Sequence, residues 1–221
     1  MEIKMDIISE LNGKRILIWG YGREGKATEH FLQRCVKPAS VDIFEGKKEE
    51  IDEDDYDFII KSPGIVMNEE NPKYTSETEL FLQQFRDQVI GITGTKGKST
   101  TSAMLYTVLK ACSGRPVLLL GNIGQPCLDY FEEVTEDTII VYEMSCHQLA
   151  HTNVSPHIAI FLNLYEEHLD YYGTVEKYFE AKSHIAAYQK SGDYFFVGEK
   201  CAADRYKGAK DSASSAQRCA L

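Results

Sequence analysis

An apolar run at residues 89–92 gives way at once to Gly91-Ile92-Thr93-Gly94-Thr95-Lys96-Gly97-Lys98-Ser99-Thr100-Thr101, and a helical pattern follows over residues 102–110. Strand, glycine-rich loop and helix in that order form a cradle for nucleotide phosphates. Glycines let backbone N–H groups turn toward phosphate oxygens, and the helix aims its positive end at the same place. Gly94, Thr95, Lys96, Gly97 and Thr100 form the cradle, Lys98 is placed to meet the β- and γ-phosphates, and Ser99 to hold Mg²⁺. The spacing departs from the common form: Ile92 stands five positions before the glycine of Gly-Lys-Ser, with Gly91 one residue too early and Gly94 too late. A glycine-rich turn without chemistry is the bland alternative. Gly-Lys-Ser-Thr opening a helix directly after a strand weighs against it.

A second unit of similar design precedes the loop. Residues 15–19 read as a strand, Gly20-Tyr21-Gly22-Arg23-Glu24-Gly25 follows, and Ala27, Phe31, Leu32 and Cys35 carry a helical period. Strands are predicted at 41–44 and 58–60, the latter ending in Ser62-Pro63-Gly64, with a helix over 77–85. Beyond the phosphate loop the pattern predicts strands at 116–120, 138–142, 158–162 and 194–197, and a helix over 175–188. Alternating strands and helices imply parallel sheets with ligands at the strands' carboxyl ends. The expected fold class is α/β: a Rossmann-like domain over residues 1–87, then a phosphate-loop domain over 88–199. Residues 200–221, rich in Ala, Ser, Lys and Gln without an apolar period, are expected to be a disordered tail. The acidic stretch 49–57 reads as a solvated connection.

Bulk properties narrow the function classes. A chain of 221 residues with 43% apolar content can bury one large core or two modest ones. Its net charge of −10 argues against general affinity for nucleic acid or an anionic membrane, so phosphate recognition must be local. Six cysteines without paired spacing suit a reducing compartment. With a charged N-terminus and no long apolar run, the expectation is a cytoplasmic monomer.

The first glycine motif, with Asp42 about twenty residues beyond it, fits a dinucleotide or nucleoside diphosphate site. A turn that uses the same glycines for packing is the plain alternative. Glu143 and His168 each follow an apolar strand and together offer a mixed oxygen and nitrogen site for Mg²⁺ or Mn²⁺. Taken alone, His168 reads more readily as a structural histidine, and Lys182 as one of several exposed charges.

Residues 91–100, with their unusual glycine spacing, resemble the phosphate loop of the Mur ligases. Asn122-Ile123-Gly124, Glu143-Met144-Ser145-Cys146-His147-Gln148-Leu149 and residues 162–170 resemble that family's next three motifs, in order. The glycine loop at 20–25, Ser62-Pro63-Gly64-Ile65 and Gln148-Leu149 most resemble the branch that adds D-glutamate to UDP-N-acetylmuramoyl-L-alanine. The resemblance spans roughly residues 14–198. It implies an ATP-dependent amide ligase of peptidoglycan precursor synthesis working through an acyl phosphate. Gly22, Arg23, Glu24 and Gly25 would hold the substrate's diphosphate, Asp42 its uracil end, and Ser62, Pro63 and Gly64 would line the pocket. Asn122, Ser145 and Gln148 would contact the sugar-peptide portion. Lys98, Glu143, His168 and Lys182 would be catalytic. The implied metal ligands are Ser99, Glu143, His168 and Lys182, the last as a carbamate. Cys146-His147 departs from the Ser-Phe expected there. The resemblance further implies that a C-terminal domain is absent, and that the chain binds the UDP substrate but ligates poorly. Another ligase of this type, such as a folylpolyglutamate synthetase, and a non-catalytic nucleotide-binding paralogue are the alternatives.

Overall fold

The computed structural model describes residues 6–65, 71–167 and 169–198, and the backbone of 217–220. The chain divides into two compact units, one comprising Met1–Gln84 with Pro126–Glu133 and the other Phe85–Gln125 with Val134–Leu221. Each carries its own all-parallel sheet.

The first unit runs α1 (Ile7–Leu11), β1 (Arg15–Trp19), α2 (Arg23–Cys35), β2 (Ser40–Phe44), β3 (Phe58–Lys61), β4 (Tyr74–Thr75) and α3 (Glu77–Phe85). The sheet order is β2-β1-β3-β4. Ile16, Leu17, Ile18 and Trp19 are all buried, as an uninterrupted apolar run requires of a parallel strand covered on both faces. At the sheet edge, β2 leaves Ser40, Asp42 and Ile43 exposed. Pro126–Glu133, expected in the second domain, packs with this unit instead. Phe131 sets its ring 4.7 Å from that of Phe31 on α2, and Leu128 N donates to Glu77 Oε1 at 2.9 Å. Within the acidic stretch 49–57, Glu49, Glu50, Asp52, Asp54 and Asp55 are exposed, as a solvated connection requires. Glu53 is the exception: it accepts from Tyr74 Oη at 2.7 Å and Asn71 Nδ2 at 2.5 Å, anchoring β4.

The second unit runs β5 (Val89–Thr93), α4 (Lys98–Cys112), β6 (Val117–Gly121), β7 (Ile139–Glu143), α5 (Cys146–Leu149), β8 (Ile158–Phe161), α6 (Leu169–Tyr172), α7 (Val175–Ala187), β9 (Tyr194–Val197) and β10 (Gln217–Ala220). The sheet order is β10-β9-β8-β5-β7-β6. From β5 the chain builds first toward β7 and β6, then reverses to add β8 and β9 on the other side. The loops after β5 and β8 therefore diverge at a topological switch point, where open α/β sheets bind ligands. Helix α4 begins at Lys98, as Gly-Lys-Ser-Thr opening a helix requires and four residues before the apolar pattern at 102, with Gly97 at φ 84° as its left-handed cap. Gln217–Ala220, expected in a disordered tail, pairs with β9. Among the described residues, Cys35, Cys112, Cys127 and Cys146 form no disulfide. No helix among the described residues is long and apolar enough to cross a membrane.

Candidate functional site

The phosphate loop sits at the switch point of the second sheet. Its turn is held by the segment after β8: Thr95 N donates to Asn163 O at 2.9 Å, Lys96 N to Asn163 Oδ1 at 2.9 Å, and Asn163 Nδ2 to Lys96 O at 2.8 Å. Thr95 Oγ1 accepts from Tyr165 N at 3.0 Å and lies 3.3 Å from Tyr178 Oη. These bonds satisfy the loop's outer face. Lys96, Gly97, Ser99 and Thr100 remain exposed at the start of α4, whose cap makes no side-chain hydrogen bond. The first-turn N–H groups therefore face solvent at the helix's positive end, as an anion site needs. Lys98 Nζ donates to Gly94 O at 2.9 Å and Thr95 O at 3.1 Å, folding over the cradle.

Glu143 ends β7 and pairs in register with Ile92, just before the loop. It is fully buried. One carboxylate oxygen accepts from Asn122 Nδ2 at 2.8 Å, and Oε2 has no hydrogen-bond partner. A buried, half-satisfied carboxylate costs several kcal/mol unless a cation completes it, so Glu143 fits a Mg²⁺ ligand. Ser99, exposed in the first turn of α4, offers a hydroxyl on the same loop. Lys182 is 1% exposed on α7, with Nζ 2.9 Å from Gly94 O, 3.5 Å from Thr93 Oγ1 and over the Tyr178 ring. It is no exposed charge. An ammonium cannot ligate a metal, so Lys182 would enter a metal shell only as its carbamate. His168 lies outside the described residues, and among those described no cluster of three acidic, His or Cys groups is poised for a metal. Ser145 and Gln148 form a capping box on α5: Ser145 Oγ accepts from Gln148 N at 3.2 Å, and Gln148 Oε1 from Ser145 N at 2.9 Å. Their local work is to start that helix.

In the first unit, the Gly20–Gly25 loop and the Ser62–Ile65 turn meet at the carboxyl ends of β1 and β3. Ser62 Oγ donates to Gly20 O at 2.9 Å, and Ser62 N to Trp19 O at 2.8 Å. Gly22 caps α2 without a side-chain bond, and neither Gly22 nor Gly64 has an atom within 4 Å of where a Cβ would point. Arg23 is exposed, and Glu24 and Pro63 are half-buried. Asp42 stands in the middle of β2, level with Leu17, and hydrogen-bonds the Tyr56 phenol. Burial first, then the charge of Asp42, raises the Tyr56 pKa. The first carboxylate past the end of β2 is Glu45, which is exposed. Asp42 thus stands two residues before the end of β2 and Glu45 one residue past it. Tyr178 is a neighbour of the phosphate loop that the sequence does not single out. Burial chiefly pushes its pKa up to about 12, and its hydroxyl reaches Thr95, a link that spacing does not reveal.

A family profile described as the Mur ligase middle domain matches residues 92–216. A UDP-N-acetylmuramoylalanine--D-glutamate ligase of Clostridium kluyveri is 37% identical over 176 residues, covering 76% of this chain and 38% of that protein. One of the same name from Streptococcus pyogenes is 33% identical over 224 residues, covering 87% and 49%. The chain thus spans less than half the length of these curated relatives. Among solved structures, the Neisseria meningitidis UDP-N-acetylmuramate:L-alanyl-gamma-D-glutamyl-meso-diaminopimelate ligase superposes with a TM-score of 0.57 at 16% identity, covering 94% of this chain and 77% of that one. Two parallel sheets, the variant phosphate loop and a profile match across more than half its residues establish that this chain belongs to the Mur ligase family.

Proposed function

We propose that the chain supplies the two nucleotide subsites of an ATP-dependent acid–amino-acid ligase of peptidoglycan precursor synthesis. The first unit would hold the UDP end of UDP-N-acetylmuramoyl-L-alanine, and the phosphate loop of the second would hold ATP. D-Glutamate would be the incoming amine. One observation carries the reading: a buried carboxylate, Glu143, with one oxygen unpartnered at the strand end beside a phosphate loop.

Lys98 would exchange the Gly94 and Thr95 carbonyls for the β- and γ-phosphates, a charge-assisted contact stronger than either bond it gives up. Glu143 and Ser99, with His168 and carbamylated Lys182 as further ligands, would hold Mg²⁺ or Mn²⁺, which would neutralise phosphate charge. The loop's backbone N–H groups orient the γ-phosphate for in-line attack. An oxygen of the substrate carboxylate bonds to the γ-phosphorus as the bond to the β–γ bridging oxygen breaks, giving an acyl phosphate and ADP. The amine of D-glutamate then adds to the acyl carbon, the carbon–oxygen bond to phosphate breaks, and the ammonium proton passes to solvent.

Calorimetry tests the reading. The chain should bind ADP in a Mg²⁺-dependent manner, and Lys98→Ala should weaken that binding at least about tenfold, as expected for loss of a charge-assisted phosphate contact. Equal ADP affinity with and without Mg²⁺ in the wild-type chain would overturn it.

A further inference from the structure

Lys61 closes β3, level with Trp19 at the end of β1, and is 3% exposed. Its Nζ donates to Ile65 O at 3.1 Å, closing the turn whose Ser62 hydroxyl is bound to Gly20 O. A single buried amine thus fastens the turn that packs against the glycine loop. The charges acting on it are Glu24, in the first turn of α2, and Glu79, in the first turn of α3. Glu79 Oε2 accepts from Thr75 Oγ1 at 3.1 Å. Glu77, also on α3 and 2% exposed, accepts from Leu128 N and hydrogen-bonds Glu24, with Asp129 a further acidic neighbour. Burial, then the charge of Glu24, holds the Glu77 carboxyl well above the usual carboxylate range. Lys61 is thus the buried cation of this acidic cluster, with the charges of Glu24 and Glu79 favouring its ammonium form.

Glu24 belongs to the glycine loop and helix start that would receive a diphosphate. Without Lys61, that loop presents an anion to an anion. We propose that Lys61 is a positioning and charge-compensating residue of the diphosphate subsite, such that binding a UDP-linked substrate takes up a proton there and weakens in alkaline solution. The inference rests on the reading of the first unit as the UDP site. Desolvation draws the Lys61 pKa down to about 8 against the opposing pull of Glu24 and Glu79, so the free chain loses this charge in a mildly alkaline range. An added diphosphate restores the preference for the ammonium.

The test is titration calorimetry with UDP-N-acetylmuramoyl-L-alanine, whose diphosphate diester does not titrate between about pH 7 and 9, in two buffers of different ionisation enthalpy. Wild-type affinity should fall about tenfold from pH 7 to 9, with net proton uptake on binding. Lys61→Arg, charged throughout, should bind with a flat profile. Lys61→Met should bind weakly at pH 7 with no slope. A flat wild-type profile, or a wild-type slope surviving in Lys61→Arg, overturns the inference while leaving the UDP site standing. Absence of wild-type binding at every pH overturns the UDP reading and the inference with it.

Discussion

Gly22 caps α2 and Gly25 lies three residues on in its first turn, and different pressures hold them to glycine. A Cβ on Gly25 would stand 2.2 Å from the carbonyl oxygen of Gly20, backbone that cannot swing aside, so α2 would have to lift from the loop. Gly25→Ala is expected to destabilise the first unit by about 2–4 kcal/mol in denaturant titrations. Gly22 has ordinary φ and open space before it. Gly22→Val should fold with an unchanged midpoint and lose UDP-substrate affinity, and wild-type binding by that variant would remove the loop from the site. Glu143 makes the complementary case in the second unit. Its unpartnered oxygen burdens the metal-free fold, so Glu143→Gln should raise apo stability by roughly 1–2 kcal/mol while abolishing the Mg²⁺ dependence of ADP binding. A stabilised variant that keeps the metal dependence would exclude Glu143 as a ligand.

At the scale of elements, α3 carries a titration that unfolding should reveal. The folded-state pKa of Glu77 lies above its ordinary 4.5, so the native chain keeps a proton that the unfolded chain releases. The contribution of this group is whole below about pH 4.5 and is lost as pH climbs toward its folded value. Glu77→Gln can still accept from Leu128 N, and it donates to Glu24 at every pH. The melting temperature of Glu77→Gln relative to wild type should therefore rise as pH climbs above the ordinary carboxylate range. A difference that shrinks with pH would refute the shared proton. The extents of α3 and β9 are legible in the residues themselves, because apolar period and flanking turns coincide there. The start of α4 is legible from the Gly-Lys-Ser-Thr motif and not from periodicity, which registers apolar positions, because the first helical residues, Lys98 to Thr101, are polar.

For the whole molecule, two sheets with two glycine loops imply two separable ligand footprints. Hydrogen exchange should show Mg²⁺ and ADP protecting amides at 94–102, and UDP-N-acetylmuramoyl-L-alanine protecting amides at 20–26 and 62–65. A single footprint common to both ligands would contradict the assignment of one nucleotide to each unit. Pro126–Glu133 illustrates why unit membership escapes a linear reading. Cys127, Leu128 and Phe131 are short-range neighbours of β6 in sequence, yet they bury themselves in the first unit, against Phe31 and Glu77.

The longer strands and helices, the phosphate loop and the family were already written in the sequence, because periodicity and glycine spacing are local properties of a chain; the short elements α1, β4, α5, α6 and β10 were not. Tertiary structure alone decided where the polar groups sit and what they bond. It put Asp42 in mid-strand beside Tyr56, used Ser145 and Gln148 to cap α5, buried Lys182 against Gly94 and left one oxygen of Glu143 unpartnered. Burial and hydrogen-bond satisfaction depend on segments distant in sequence, and the electrostatic cost of a charge follows from them.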